Sequence, residues 1–493
     1  LQLERQYSVT ATDQDGFAQR TFASYIGGEW KQGGKEIQVV DPATAQPFAR
    51  VATVGVEDVK QALTNAEEAF PAWRALTVKD RGALLHRVAD ELVRRKAEIA
   101  HIITRENGKP LAQAEGEVLM SEDHLRWFAE EAKHAYGRLI PNHVAGKRHM
   151  VIKTPIGVVG AIAPWNFPLV LAVRKIAPAM AAGCPVVLKP ASQTPLSAVL
   201  FAECVQAAGV PAGVFQVVIG NAVAVSGEFL GNPICRKISF TGSTRVGQDL
   251  IRGAAEHIKP LCLELGGLAP VLVFEDCDLD RAVVQTIIAK FRNTGQSCIA
   301  ANRIYVQRSI YREFVARFTA ATGKLKLGPG LEPGVDVGPV VNQGGLDAAL
   351  EQIHDAVSKG GRVVAGGERL TSSPGFFLQP TVIEEVHPTS TCMKEETFAP
   401  IAPICPFDTE EEAIREANNT PYGLSAYAMT RDVGRIFRLG EQIEAGTLGI
   451  NDGAPTVSHA PFGGVKQSGW GRELGVEGFD AFTETKHISI AGV

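Results

Sequence analysis

Polar and apolar positions recur at helical spacing from residue 57 to residue 136, so this part of the chain is expected to be mainly helical. Thr77-Val78-Lys79-Asp80 has the form of a capping box and is expected to open one amphipathic run from Gly82 to Arg105. From Val158 the texture changes. Pro185–Leu188 precedes the helical stretch Leu196–Ala208, Val214–Ile219 precedes Ala222–Leu230, and Lys237–Phe240 precedes Val246–His257. Short β-branched runs alternating with helices call for parallel crossover units, and therefore an α/β fold with a doubly wound sheet. A second series of the same kind runs through Pro270–Phe274, Ile304–Val306, Arg362–Ala365, Ile401–Phe407 and Thr447–Ile450. Its Gly- and Pro-rich stretch Leu327–Gly345 is expected to be a long surface loop. Pro141–Lys153 and Phe482–Ile490 fit neither series.

Composition narrows the class without naming a function. A chain of 493 residues, 45% hydrophobic and 21% charged, can bury more than one core and is expected to divide into two or three domains. A net charge of -5 leaves no basic footprint for nucleic acid. Eight scattered cysteines contain no C-x-x-C pair, so no metal site or disulfide framework is expected, and a reducing cytoplasm suits the chain. The longest apolar run, Gly157–Val173, is broken by Pro164, Asn166 and Pro168 and reads as buried strand, loop and helix, with no membrane span. Leu1–Gln19 is polar and lacks the apolar core of a signal peptide; the missing initiator Met points to a trimmed chain, and secretion is not expected.

The chemistry concentrates in Phe291–Ala300, where Cys298 follows Asn293 and Gly295 in a Gly-containing turn. Glu264 precedes Gly266-Gly267, and 298 minus 264 puts it 34 residues before the thiol. A thiol, a carboxylate and flexible backbone are the parts needed to make and hydrolyse a thioester. Alone, Cys298 would read as a buried structural cysteine, Glu264 as a strand-end glutamate and Asn166 as a turn residue before Pro168. Together with Pro164-Trp165-Asn166-Phe167-Pro168 and Glu395-Glu396-Thr397-Phe398, this segment resembles the aldehyde dehydrogenase superfamily from about Tyr25 to the C-terminus.

The resemblance implies an aldehyde-dehydrogenase-like α/β fold: a Rossmann-type NAD(P)-binding domain (residues 1–140 and 154–268), a catalytic domain (269–481) and a small β oligomerisation arm (141–153 and 482–493). It implies a homo-oligomer, dimer or tetramer. Cys298 would be the nucleophile, Glu264 the base that activates the deacylating water, and Asn166 with the Cys298 N–H the oxyanion hole. The remaining seven cysteines are expected in packing. For the cofactor, Ser243 and Thr244 would lie by the pyrophosphate, at a strand-to-helix turn that lacks the G-x-G-x-x-G fingerprint. Lys189 would meet the adenosine ribose and Glu396 the nicotinamide ribose, with Leu265 and Phe398 beside the nicotinamide end, and Trp165 would also contact the cofactor. A P-loop is excluded, because Gln248 stands where its lysine would follow the glycine. Ser192 stands where a carboxylate would hold the ribose of NAD and repel a 2′-phosphate, so NADP as well as NAD is expected to be usable.

Arg174 and Arg292 occupy positions where many relatives acting on uncharged aldehydes carry bulky aromatic residues. Each alone could be a helix-surface arginine; together they could clamp a carboxylate, which resembles the succinate-semialdehyde dehydrogenase branch and its ketoglutarate- and glutarate-semialdehyde neighbours. Ser458 or Thr456 would then hydrogen-bond the far carboxylate. Leu268 replaces an asparagine frequent after Gly266-Gly267, Ala300 replaces a second cysteine found in some of these enzymes, and Gly453–Ser458 departs from the usual substrate loop. Oxidation of uncharged aldehydes, and a non-catalytic binding or structural protein on the same fold, are the alternative readings.

Overall fold

The computed structural model describes residues 20–492, so the expectation about Leu1–Gln19 lies outside the described residues. The helical region comprises Val56–Ala75, Val78–Arg94, Lys96–Asn107 and Leu111–Glu131. Thr77 caps the second helix, its hydroxyl oxygen accepting from the Asp80 N–H at 3.2 Å. The amphipathic run expected to be continuous from Gly82 to Arg105 is instead two helices, broken at Arg95 (φ -102°, ψ 14°). That break lets both halves pack on the helix Leu196–Ala207, while the Arg95 guanidinium bonds Glu98 and Glu203.

Five parallel strands form the centre of the first sheet, in the order Leu261–Glu264, Cys235–Thr241, Val158–Ile162, Val186–Lys189 and Phe215–Val217. Antiparallel edges are added by the hairpin Ser24–Ile26 and Glu29–Lys31 on one side and by Gly469–Trp470 on the other. That last strand comes from late in the chain and sits directly against Glu264, paired with Gly469. The second sheet has seven strands, all parallel except the edge strand Arg362–Ala365. Two of its members, Thr381–Glu384 and Ser425–Met429, are not among the strands expected from the sequence.

Lys147–Pro155 pairs antiparallel with Thr483–Ala491 over nine residues, and Arg138–Ile140 adds a third strand. The two segments that fit neither βα series therefore find each other. The stretch Leu327–Gly345 is not a surface loop throughout: Val337–Val341 is buried. Its glycines mark close backbone approach, since a β-carbon on Gly338 would stand 2.0 Å from the Gly108 carbonyl oxygen. No helix of the described residues is long and apolar enough to cross a membrane.

Candidate active site

The nucleophile loop is a strained segment held from several sides. Asn293 (φ 52°), Thr294 (φ 60°) and Gly295 (φ 73°) are left-handed in succession, a conformation a chain keeps only when its surroundings impose it. Asn293 Nδ2 donates to the Asn166 carbonyl at 2.8 Å and to the Gln296 carbonyl at 3.0 Å. The Asn293 N–H donates to Gln113 Oε1 at 2.7 Å, and the buried turn Gly338–Val341 adds two more bonds: Gly338 N–H donates to Thr294 Oγ1 at 3.1 Å and Val341 N–H to Gln296 Oε1 at 2.8 Å. Cys298 follows, half-buried, and a β-carbon on Gly267 would come within 2.3 Å of its carbonyl oxygen. Only glycine at 267 allows the two motifs to meet.

Asn166 is buried and its Nδ2 donates to the Gln296 carbonyl at 3.2 Å, which places the amide beside the same loop. The Cys298 N–H has no hydrogen-bond partner among the described residues. Asn166 is positioned through its own carbonyl, which accepts from Lys109 Nζ at 2.8 Å as well as from Asn293. Lys109 pairs with Glu117 at 2.5 Å, both side chains almost wholly out of water. Glu117 Oε1 in turn accepts from the Leu169 and Val170 N–H groups, satisfying the first turn of the helix Val170–Ala182. Glu106 does the same for Leu196–Ala207, accepting from Leu196 at 2.7 Å and Ser197 at 3.0 Å.

Glu264 ends its strand with 1% exposure, and neither carboxylate oxygen accepts a hydrogen bond of regular geometry. Burial raises its pKa to about 7, the neighbouring Glu473 carboxylate adds to the rise, and contact with the Cys298 thiol and the charges of Lys175 and Arg174 oppose it. Burial also pushes the Cys298 thiol well above its ordinary value, with the carboxylates of Glu264 and Glu396 adding to the shift and Arg174 opposing it. Lys175 is fully buried between Glu473 and Thr241, whose Oγ1 accepts from it at 2.6 Å. The sequence reading missed Lys175 and Glu473; a second cation, directly after Arg174 in a helix otherwise apolar, was the available signal.

Every residue of the helix Val170–Ala182 is buried, so Arg174 is not a helix-surface arginine. Its guanidinium lies over the Phe462 ring at 4.8 Å and its Nε has no hydrogen-bond partner. Arg292 lies over the Phe167 ring at 5.2 Å, with its pKa lowered by burial and by the charge of Arg174, against opposing contributions from Tyr427 and other acidic groups. Neither guanidinium makes a hydrogen bond or ion pair with any described residue. Ser458 is buried, and the Thr456 hydroxyl is unpartnered. Leu268 is buried and its carbonyl accepts from Arg303 Nε at 3.1 Å; nothing in the structure explains a leucine there in place of asparagine.

Of the residues expected around a nicotinamide dinucleotide, Trp165, Lys189, Ser192, Ser243, Thr244 and Leu265 follow the C-terminal ends of strands in the first sheet, and Glu396 and Phe398 precede the strand Ile401–Phe407 of the second. Ser243 caps the helix Thr244–Ala255. Lys189 is buried with only the Pro190 carbonyl as partner, at 3.0 Å, and Ser192 is exposed just beyond it with no carboxylate at that position. Trp165 and Phe398 meet edge to face, centroids 5.3 Å apart. Glu396 makes one long side-chain hydrogen bond, from Gly267 N–H at 3.4 Å, and burial raises its pKa to about 8. Leu265 directly follows the strand end at Glu264, and its side chain packs with Phe240, Leu250 and Leu263 against Gly247. A lysine with donors to spare, a helix N-terminus and an under-used carboxylate fit such a cofactor.

This fold and this constellation of thiol, carboxylate and amide define a known class. Residues 30–488 match the aldehyde dehydrogenase family, and the chain belongs to it. Among its relatives is a glutarate-semialdehyde dehydrogenase of Pseudomonas putida, 47% identical over 470 residues that cover 95% of this chain and 97% of the relative. The NADP(+) succinate-semialdehyde dehydrogenase GabD of Escherichia coli is 46% identical over 467 residues, covering 94% and 97%. A crystal structure of a succinate-semialdehyde dehydrogenase from Burkholderia pseudomallei superposes with a TM-score of 0.94 at 45% identity, covering 96% of this chain and 98% of the other.

Proposed function

We propose that this protein oxidises a semialdehyde whose far end carries a carboxylate, succinate or glutarate semialdehyde, to the dicarboxylate, with NADP+ or NAD+ as acceptor. The observation that carries the reading is the pair of guanidinium groups, Arg174 and Arg292, left without protein acceptors beside Cys298. Arg174 is buried and Arg292 half-buried, so an unpartnered charge there is costly, and a substrate carboxylate would relieve it. An uncharged aldehyde would leave both arginines unpaired, which weighs against that alternative.

In this reading Ser458 and the two arginines hold the far carboxylate and present the aldehyde carbon to the Cys298 sulfur. The Cys298 thiol loses its proton to solvent and the thiolate attacks, giving a thiohemiacetal oxyanion that takes the Asn166 amide and the free Cys298 N–H as donors; loss of hydride from that carbon leaves the thioester. When bound, the dinucleotide supplies the hydride acceptor, and Lys189, Ser192, Ser243, Thr244, Trp165, Glu396 and Phe398 are the residues that would hold it. Glu264 then takes a proton from the water that cleaves the thioester, a task suited to a carboxylate titrating near neutrality. The Glu473 carboxylate and the Lys175 ammonium, paired with each other, set the charge around Glu264 in opposite directions.

Steady-state kcat/KM for succinate semialdehyde, glutarate semialdehyde and butanal, read by reduced-nicotinamide absorbance with each dinucleotide, tests the proposal. A preference for butanal would overturn it. The sheet formed by Lys147–Pro155 and Thr483–Ala491 is proposed as an arm that joins copies into a homo-oligomer, and its outer strand presents Leu139 at 82% exposure. Light scattering that returns a monomer would refute the arm. Eight free cysteines, most of them buried, suit a reducing compartment such as the cytoplasm.

A further inference from the structure

Lys290 ends a buried polar chain that the proposed reaction does not use. It lies in the helix Leu279–Phe291 with 0% exposure and forms no ion pair among the described residues; its Nζ donates to Thr397 Oγ1 at 3.0 Å. The Thr397 hydroxyl donates to Asn302 Oδ1 at 2.6 Å, and the Thr397 main-chain N–H reaches the same oxygen at 3.1 Å. Asn302 Nδ2 donates to the Ala300 carbonyl at 3.1 Å. The chain thus runs from the residue between Glu396 and Phe398 to the residue two past Cys298.

Its cost suggests a purpose. Desolvation brings the Lys290 amine down to about 7, and an apolar side chain could fill the same space without that penalty. Phe398 gives a second sign, since its φ of 43° is a left-handed conformation that a bulky residue keeps only when its neighbours fix it. Further support comes from Gln352, whose Nε2 donates to the Glu396 carbonyl at 3.4 Å. Both the main chain and the side chain of this loop are tied down.

We propose that Lys290, Thr397 and Asn302 are positioning residues that lock the segment Glu395–Phe398 to the segment Ser297–Ala300, keeping the nicotinamide end of the cofactor in register with the thiol. The inference rests on the reading of Glu396 and Phe398 as cofactor contacts. Misplacing reacting atoms by about an ångström costs on the order of 10²-fold in rate. Loss of the chain therefore acts on hydride transfer and on cofactor binding, and leaves aldehyde affinity nearly unchanged.

Thr397→Val keeps the volume and removes both side-chain bonds; Thr397→Ser restores the hydroxyl, and Lys290→Met removes the first link by a separate route. Three measurements apply: equilibrium NADP+ binding by tryptophan quenching, aldehyde KM, and the single-turnover rate with hydrogen or deuterium on the aldehyde carbon. Thr397→Val and Lys290→Met are expected to bind NADP+ more weakly, to slow single turnover by about 10–100-fold and to show a larger isotope effect, with Thr397→Ser near wild type. A loss of packing alone would lower thermal stability and leave the isotope effect where it was. If Glu396→Gln binds NADP+ as tightly as wild type, the cofactor reading fails and takes the inference with it. If Glu396→Gln is impaired while Thr397→Val and Lys290→Met turn over at the wild-type rate with the wild-type isotope effect, only the positioning chain is overturned.

Discussion

Lys109 Nζ stands 2.8 Å from the main-chain oxygen of Asn166 and 2.5 Å from Glu117 Oε2, so a buried cation holds the backbone that carries the proposed oxyanion donor. Removing one member of such a pair leaves the other unpaired, which costs about 3–5 kcal/mol. Lys109→Met is expected to lose stability of that order in a urea titration and to lower kcat as Asn166 shifts. The double variant Lys109→Met/Glu117→Gln leaves no lone charge and is expected to regain much of the stability. A double variant as unstable as the single one would show that the charges are not what holds the segment.

The parallel strands were legible because β-branched runs such as Val186–Lys189 and Ala269–Val273 are buried on both faces and read as continuous apolar segments. Cys298, Glu264 and Asn166 were legible because their motifs are local. What escaped was polarity whose purpose is long-range. Glu106 and Asn107 at a helix end, and Lys109 just past its Gly108 cap, look like a solvated terminus, yet all three are buried, capping a helix or holding the Trp165 and Asn166 carbonyls. Gly338 and its neighbours read as a surface turn for the same reason: a glycine that allows close backbone approach is indistinguishable in sequence from one that allows a bend.

Glu264 titrates at about 7, and only its ionised form can take a proton from water. Above that value the base is present and below it the base is lost, so kcat is expected to rise with pH through about 7 and then level off. Glu473→Gln removes a negative neighbour and leaves Lys175 without its countercharge. Both changes favour the Glu264 carboxylate, so the acid limb moves to lower pH. Glu264→Gln is expected to keep a single-turnover burst and lose steady turnover, whereas Cys298→Ala abolishes hydride transfer. An acid limb unmoved in Glu473→Gln, or normal turnover in Glu264→Gln, would remove Glu264 from the role of base.

Ser192 lies exposed just past the strand Val186–Lys189, where a carboxylate would oppose a 2′-phosphate. Ser192→Glu is expected to shift the NADP-to-NAD ratio of kcat/KM towards NAD by at least roughly tenfold, equivalent to 1.4 kcal/mol. An unchanged ratio would place the discriminating contact elsewhere in the adenosine site.

The substrate claim turns on what a carboxylate needs when it leaves water. Arg174 and Arg292 offer charge-assisted donors with no competing protein acceptor, and removing either is expected to cost about 2–5 kcal/mol in kcat/KM for succinate semialdehyde. Butanal never gains that contact, so it loses little, and it improves if the pocket becomes less polar. The informative quantity is the ratio of the two kcat/KM values in wild type, Arg174→Ala and Arg292→Ala. Arg174 also lowers the pKa of the Cys298 thiol, so its removal disfavours the thiolate and slows both aldehydes by a common factor. The ratio cancels that factor and isolates recognition of the carboxylate. Equal losses for both aldehydes in both variants would mean that the arginines serve the thiol and the scaffold, and the substrate assignment would retreat to aldehydes in general.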